Sequence, residues 1–331
     1  KRPENDKYKN HQFEIHESFL TMNRLLVSVL LPVLFSSVSY SQIHWQKVDS
    51  MYQPLSNSIH IFRSKDSVNG KPFIAYYLSA KLKDKRLLFT AQTGNGHRYT
   101  PSQYYRQEQF PIVVVNCAFF SIVTNQNLSV IIKNGKLVSR NITSLKGLGK
   151  DSALFYYVTR SAIGIDKNRN ADISWTFTTS SKHRVYAFEN GPVITKNEYT
   201  HPDIFDLKDV DWKWWKMQTA VGGGPTLIHD GEIRITNKEE EIFSGEEKLA
   251  RTAMGYTKDN RLIILVIQGG NAEGATFERE AKMLKDIGCY EALNLDGGKN
   301  SCMLVNGIET ISPSEKTGET ELPAVFMIKS P

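Results

Sequence analysis

Cysteine is nearly absent: Cys117, Cys289 and Cys302 are the only three in 331 residues. Three thiols make no disulfide framework, and none stands at metal-ligand spacing from another. Each lies in an apolar segment and reads as a buried free thiol. Histidine is sparse too, with eight in unrelated segments and no His-x-His or Asp-x-His pair. The sequence therefore offers no ligand set for a two-metal phosphoryl-transfer centre. Long apolar runs are missing: residues 25–35 are apolar but fall short of the roughly 20 residues that span a bilayer. A formal charge of +6 and a pI near 9.0 are not concentrated in a polybasic tail or a nucleic-acid motif. No nucleic-acid partner and no stable membrane anchor are expected. The dispersed positive charge reads either as an ordinary solvated surface or as a weak field that gathers an anionic ligand.

The apolar run belongs to a leader. Met22 begins it, Arg24 supplies a short basic region, and Ser39-Tyr40-Ser41 offers a small-residue cleavage site before Gln42. Residues 1–21 read as an upstream extension, 22–41 as a signal peptide and 42–331 as the mature domain. The expected location is the periplasm or the cell exterior. The sequence does not specify the oligomeric state.

Helical spacing is scarce as well. One segment carries it, with Phe277, Ala281, Leu284 and Ile287 on one face, Thr276 as N-cap and Gly288 as stop. Elsewhere strands alternate with turns. Asn69-Gly70 closes one hairpin, and apolar runs end at Asn116 and at Asp296. A short echo joins two regions: a hairpin through Asn134-Gly135 is followed by Arg160-Ser161-Ala162-Ile163-Gly164. A second hairpin through Asp230-Gly231 is followed by Arg251-Thr252-Ala253-Met254-Gly255. It reads either as coincidence or as a duplicated hairpin-plus-strand unit. The expected fold is α+β, strand-rich, with mixed sheets and few helices.

The richest stretch is Asn294-Leu295-Asp296-Gly297-Gly298-Lys299-Asn300-Ser301. It places a carboxylate at a strand tip, where ligands gather in α/β sheets. Gly297 and Gly298 permit positive φ and close approach of a ligand to backbone amides. The alternative is a hairpin turn, for which Asp-Gly is favoured. Asn294 alternates with Asp296 on one strand face and is a neighbour in the same site. Upstream lie Ala250-Arg251-Thr252-Ala253-Met254-Gly255, the triplet Gly222, Gly223 and Gly224, and Asn116-Cys117-Ala118-Phe119-Phe120.

In that order these segments resemble the phosphodiester glycosidase family, over residues 50 to 330. The resemblance implies an exported hydrolase that cleaves the bond between a sugar's anomeric carbon and a phosphodiester. Its substrate would be a phosphorylated glycan or another sugar-1-phosphodiester. Three departures stand out: Lys299 and Asn300 replace a glycine and a serine, Gln268-Gly269-Gly270 replaces Asp-Gly-Arg, and Arg279 replaces a capping glutamate. On this reading Asp296 is the nucleophile or the base that activates water. Arg251 grips two phosphate oxygens, and Thr252 and the amides of Gly222, Gly223 and Gly224 add donors. Asn116 either binds a sugar hydroxyl, orients Asp296 or caps a strand end, and Ser301 completes the substrate-binding set. Glu273 and Glu278 are the nearest candidates for a second carboxylate, or serve the helix dipole. Trp212, Trp214 and Trp215 are a sugar platform or core. No cofactor is expected and no metal ligands are assigned. Calcium stays open because Asp166, Asn168, Asn170 and Asp172 alternate as in half a calcium loop, though a turn fits better.

Overall fold

The computed structural model describes residues 43–142, 144–146, 152–179, 183–197, 211–242, 245–314 and 318–331. The upstream extension and signal peptide expected at 1–21 and 22–41 lie outside them. Sheets of eight, seven, five and three strands make up most of the described chain. The strand-rich α+β expectation holds, but the sheets are not mixed. Every pairing among the described residues is antiparallel. Tight hairpins are the reason, since a parallel pair needs a long crossover. Asn69-Gly70, Asn134-Gly135 and Asp230-Gly231 all have positive φ at both turn residues, the backbone that a two-residue hairpin requires.

Two α-helices accompany the sheets among the described residues. The first, α1 (Pro101–Gln107), escapes sequence periodicity because it is only seven residues long. Its signal is local: Thr100 and Gln103 form a capping box and Pro101 occupies the first turn. The second, α2 (Phe277–Ile287), has the bounds its spacing predicts. Thr276 accepts the Arg279 amide, and Gly288 adopts φ 100° to end the helix. Phe277, Ala281 and Leu284 pack with Ala253, Ile263 and Leu265 of the eight-stranded sheet in one buried cluster. A larger core joins residues from the three larger sheets, among them Leu78, Val115, Ile163, Val221 and Leu293. No helix among the described residues is long and apolar enough to cross a membrane.

The internal echo extends to the sheet topology. In the seven-stranded sheet, Thr219–Gly222 lies between Arg160–Ile165 and Ile131–Lys133, which are flanked by Ala171–Thr178 and Lys136–Ser139. In the eight-stranded sheet, Cys289–Asn294 lies between Arg251–Thr257 and Thr226–His229, flanked by Arg261–Ile267 and Glu232–Ile233. The registers also agree. Ala162 faces Gly222 and Ala253 faces Asn294. One residue further, the Gly223 amide donates to Ser161 O at 2.9 Å and the Leu295 amide to Thr252 O at 2.7 Å. Counting on, Arg160 stands opposite Gly224 as Arg251 stands opposite Asp296. The two units match strand for strand, but only the second has a carboxylate at the strand tip.

Candidate active site

The tips of Val113–Asn116 and Cys289–Asn294 meet, as their polar ends suggest. The Asn116 side-chain amide donates to Asp296 O at 2.5 Å, and the Asp296 amide donates to Cys117 O at 2.9 Å. Asn116 Oδ1 accepts from the Thr252 hydroxyl at 2.8 Å and from the Cys302 amide at 3.0 Å. Of the roles open to Asn116, the structure shows that of holding the Asp296 segment. Thr252 is wholly buried and turned toward Asn116, so its hydroxyl is not presented as a phosphate donor.

Asp296 is half-buried. Burial pushes its pKa up to about 7, opposed by hydrogen bonds from Asn300 Nδ2 at 2.8 Å and the Gly297 amide at 3.0 Å. Three polar atoms nearby in the chain are buried with no hydrogen-bond partner: Asn294 Oδ1, Asn300 Oδ1 and Ser301 Oγ. Unpaired buried groups are costly and rare, and they concentrate where a ligand supplies the missing bonds. The amide of Asn294 is engaged, donating to Gly224 O at 2.8 Å and Leu295 O at 2.6 Å.

The glycines do a different job from the one expected. The amides of Gly222, Gly223 and Gly224 donate to Val130 O, Ser161 O and Asn294 O at 2.7, 2.9 and 2.7 Å. They are not open to a phosphate, because strand pairing has already used them. What the triplet provides is room: a Cβ on Gly223 would lie 2.5 Å from Asn294 O, and one on Gly224 2.7 Å from Glu240 Oε2. The turn after Asp296 is likewise not an open amide nest. Gly297 donates to Asp296 itself and Gly298 to Ala250 O at 2.8 Å. Gly298 does use its freedom, at φ 62°.

Arg251 is buried at 3% exposure. Its Nε donates to Ala275 O at 2.9 Å, one Nη donates to Glu247 O at 2.7 Å, and the guanidinium lies 4.2 Å from the Phe277 ring centroid. These contacts tie the Arg251 strand to the start of α2, and they correct the picture of a guanidinium poised for a phosphate fork. Behind it Glu280 of α2 is fully buried and neither carboxylate oxygen has a hydrogen-bond partner. Burial pushes its pKa up to about 8, and the charge of Arg251 pulls it down. Of the glutamates favoured by sequence, Glu273 is held by Lys248 at 2.5 Å and Asn69 at 2.9 Å. Glu278 pairs with Lys282 on the helix surface at 3.3 Å. Glu280 shares the helical pattern of its neighbours, so only its packing reveals it.

A carboxyl whose folded pKa is raised adds stability below its ordinary value of 4.5 and loses that contribution as pH rises toward about 8. The melting temperature of Glu280→Gln should therefore fall less between pH 5 and 8 than that of the unaltered protein. Parallel melting curves over that range would show that Glu280 is already ionised in the fold.

Glu240, also unmarked in the sequence, ties the first unit to the second. Its Oε1 accepts from Ser161 Oγ and Thr236 Oγ1 at 2.5 Å, Thr226 N at 3.0 Å and Trp175 Nε1 at 3.1 Å. Its Oε2 accepts the Ser161 amide at 2.8 Å. Trp212 and Trp214 are exposed, whereas Trp215 is buried and bonds Asp172. The half calcium loop is a turn in which the Asp166 carboxylate accepts the Asn170 amide at 2.8 Å and Lys83 donates to Asn168 O and Asn170 Oδ1. A different cluster, His229, Asp230 and Glu291, brings possible metal-ligand atoms within 4.8 Å of one another. Those atoms are already engaged with each other and with Tyr256 and Tyr290. Cys117 and Cys289 are buried, Cys302 is half-buried, and all three are free thiols. Burial pushes the Cys117 thiol up to about 12, far from a nucleophilic thiolate.

Residues 174–329 match the phosphodiester glycosidase family, which bears out the resemblance over that stretch, while the motif from Asn116 to Phe120 lies outside it. No curated protein matches the chain. Among solved structures, the catalytic domain of the zebrafish N-acetylglucosamine-1-phosphodiester α-N-acetylglucosaminidase, auto-inhibited by its pro-peptide, aligns with TM-score 0.55 at 20% identity. That alignment covers 87% of this chain and 88% of the zebrafish chain. A hypothetical protein from Synechocystis aligns with TM-score 0.57 at 12% identity, over 87% of this chain and 64% of its own. This chain thus spans less than two thirds of the Synechocystis protein. A Burkholderia pseudomallei K96243 protein, described as a candidate exported protein, aligns with TM-score 0.55 at 13% identity, over 80% and 75%. At these identities the structures share the fold.

Proposed function

We propose that the protein is an exported hydrolase that cleaves the anomeric carbon–oxygen bond of a sugar-1-phosphodiester, releasing the sugar and a phosphomonoester. The observation that carries this reading is Asp296, a strand-tip carboxylate with a pKa near 7, close in the chain to three unpartnered polar atoms. A phosphomonoester leaves as a stabilised anion, so cleavage needs little acid help and depends on activating water and supporting positive charge at the anomeric carbon. A carboxylate poised near neutrality suits the base that takes the proton from water. Asn294 Oδ1, Asn300 Oδ1 and Ser301 Oγ would receive sugar hydroxyls. Asn116 and Thr252 position Asp296 through its backbone, and Arg251 braces the neighbouring strand against α2. Gly297 and Gly298 turn the chain so that Asn300 can reach Asp296. Export accords with the leader read at residues 22–41.

Hydrolysis of a panel of sugar-1-phosphodiesters in ¹⁸O-labelled water tests the bond that breaks. The label should appear in the free sugar and not in the phosphate. Label in the phosphate would mean attack at phosphorus, and no turnover across the panel would point to a glycan-binding role.

A further inference from the structure

We infer that Arg160 and the cavity it lines form a subsite for a phosphate ester with an apolar alcohol portion. Resting on the phosphodiester reading above, this places the aglycone side of the substrate. A cavity of about 250 Å³ lies where the first structural unit meets the loop after Asn116. Phe119, Leu128, Ile142 and Leu145 give it an apolar wall, while Ser129 and Arg160 supply polar groups. It adjoins the glycine triplet: Ser129 Cβ would lie 2.9 Å from a Cβ on Gly222, and the wall residue Ile242 2.7 Å from one on Gly224.

The duplicated topology shows why Arg160 is unusual. It is the counterpart of Arg251, but its environment is reversed. Arg251 spends donors on two carbonyls and rests on an aromatic ring. Arg160 is 8% exposed and its Nε has no hydrogen-bond partner. Continued along the register, Arg251 comes to Asp296 and Arg160 to Gly224, whose side-chain space the Glu240 carboxylate fills. The nearby Glu240 is occupied by five hydrogen bonds, and no ion pair to Arg160 is found among the described residues. Glu241 stands half-buried on the cavity wall and, with Glu240, attracts the guanidinium. A buried guanidinium Nε without a hydrogen-bond partner is costly, and the planar guanidinium fork matches phosphate oxygens. An anion on Arg160 and Ser129 with its carbon chain along Phe119, Leu128 and Leu145 would satisfy both halves of the cavity.

Calorimetry with inorganic phosphate, methyl phosphate, butyl phosphate and butanol tests this without any turnover. Butyl phosphate should bind more tightly than methyl phosphate, by up to about fourfold per buried methylene. Arg160→Gln should weaken it by at least roughly tenfold. Because the arginine lacks structural bonds, Arg160→Gln should melt no lower than the unaltered protein, and butyl phosphate should raise only the unaltered protein's melting temperature. Leu145→Trp, which keeps Arg160 and fills the cavity, should also lose butyl phosphate. Unchanged affinity in Arg160→Gln, or equal affinity for all three phosphates, would overturn the subsite; so would a large drop in melting temperature of Arg160→Gln with binding intact in Leu145→Trp. If phosphodiesters are hydrolysed but butyl phosphate does not bind through Arg160, the subsite falls and the hydrolase stands. If butyl phosphate binds through Arg160 but no phosphodiester is hydrolysed, the hydrolase falls and the anion site stands.

Discussion

Asp296→Asn should fold normally and lose at least roughly a hundredfold in kcat on a sugar-1-phosphodiester, the low end for a positioned acid–base group. Asparagine keeps the shape and an oxygen for the Gly297 amide but cannot take a proton from water. The neighbouring frame does not depend on the carboxylate, because Asn116 and Cys117 hold the segment through the backbone of Asp296. A base must be ionised to act, and burial sets the Asp296 pKa near 7. In the unaltered enzyme kcat should therefore fall as pH drops below about 7, approaching tenfold per unit, and level off above it. Asp296→Asn should lack that inflection. Near-normal turnover in a variant of unchanged melting temperature would remove Asp296 from the chemistry.

The largest effect on stability should come from Glu240→Ala. Five donors converge on this buried carboxylate, from Ser161, Thr226, Thr236 and Trp175, and none has water to turn to when it is removed. Leaving such a set unpaired should cost on the order of 3–5 kcal/mol. That is a large share of the roughly 5–15 kcal/mol that holds a typical domain together. The damage should reach the site, since Glu240 packs where a Gly224 side chain would be and the Gly224 amide is bonded to Asn294 O. Urea denaturation followed by tryptophan fluorescence measures the loss. Glu240→Gln should do less harm, because it preserves Oε1, but its amide would face the Ser161 amide donor to donor. A change under 1 kcal/mol in Glu240→Ala would mean that the surrounding hydroxyls re-pair among themselves.

The solved structures that share this fold are distant from the chain in sequence, at 12–20% identity. The substitutions at Lys299 and Asn300 sit where that distance bears on chemistry. Asn300 is not a spectator: its amide holds Asp296 Oδ2, and its own Oδ1 is unpaired. A polar side chain has taken over part of the work of a turn that sequence reasoning assigned to glycine amides.

What the sequence determined by itself was local in origin. Hairpin turns at Asn-Gly and Asp-Gly pairs, the span of α2, the burial of Cys117 and Cys289 and the strand that leads into Asp296 all follow from preferences set within a few residues. The Arg-x-Ala-x-Gly echo was also legible, though not its meaning. The tertiary structure decided everything that depends on which groups meet. Only strand register sets Gly224 opposite Arg160 and Asp296 opposite Arg251, and only packing spends the donors of one arginine and leaves the Nε of the other unpaired. The glycine amides look open in a linear chain because sequence does not show which carbonyls will take them. Glu240 and Glu280 read as ordinary charged residues until burial gives one five hydrogen bonds and the other none. Hydrogen bonding and desolvation are settled by neighbours distant in sequence, and there the site was made.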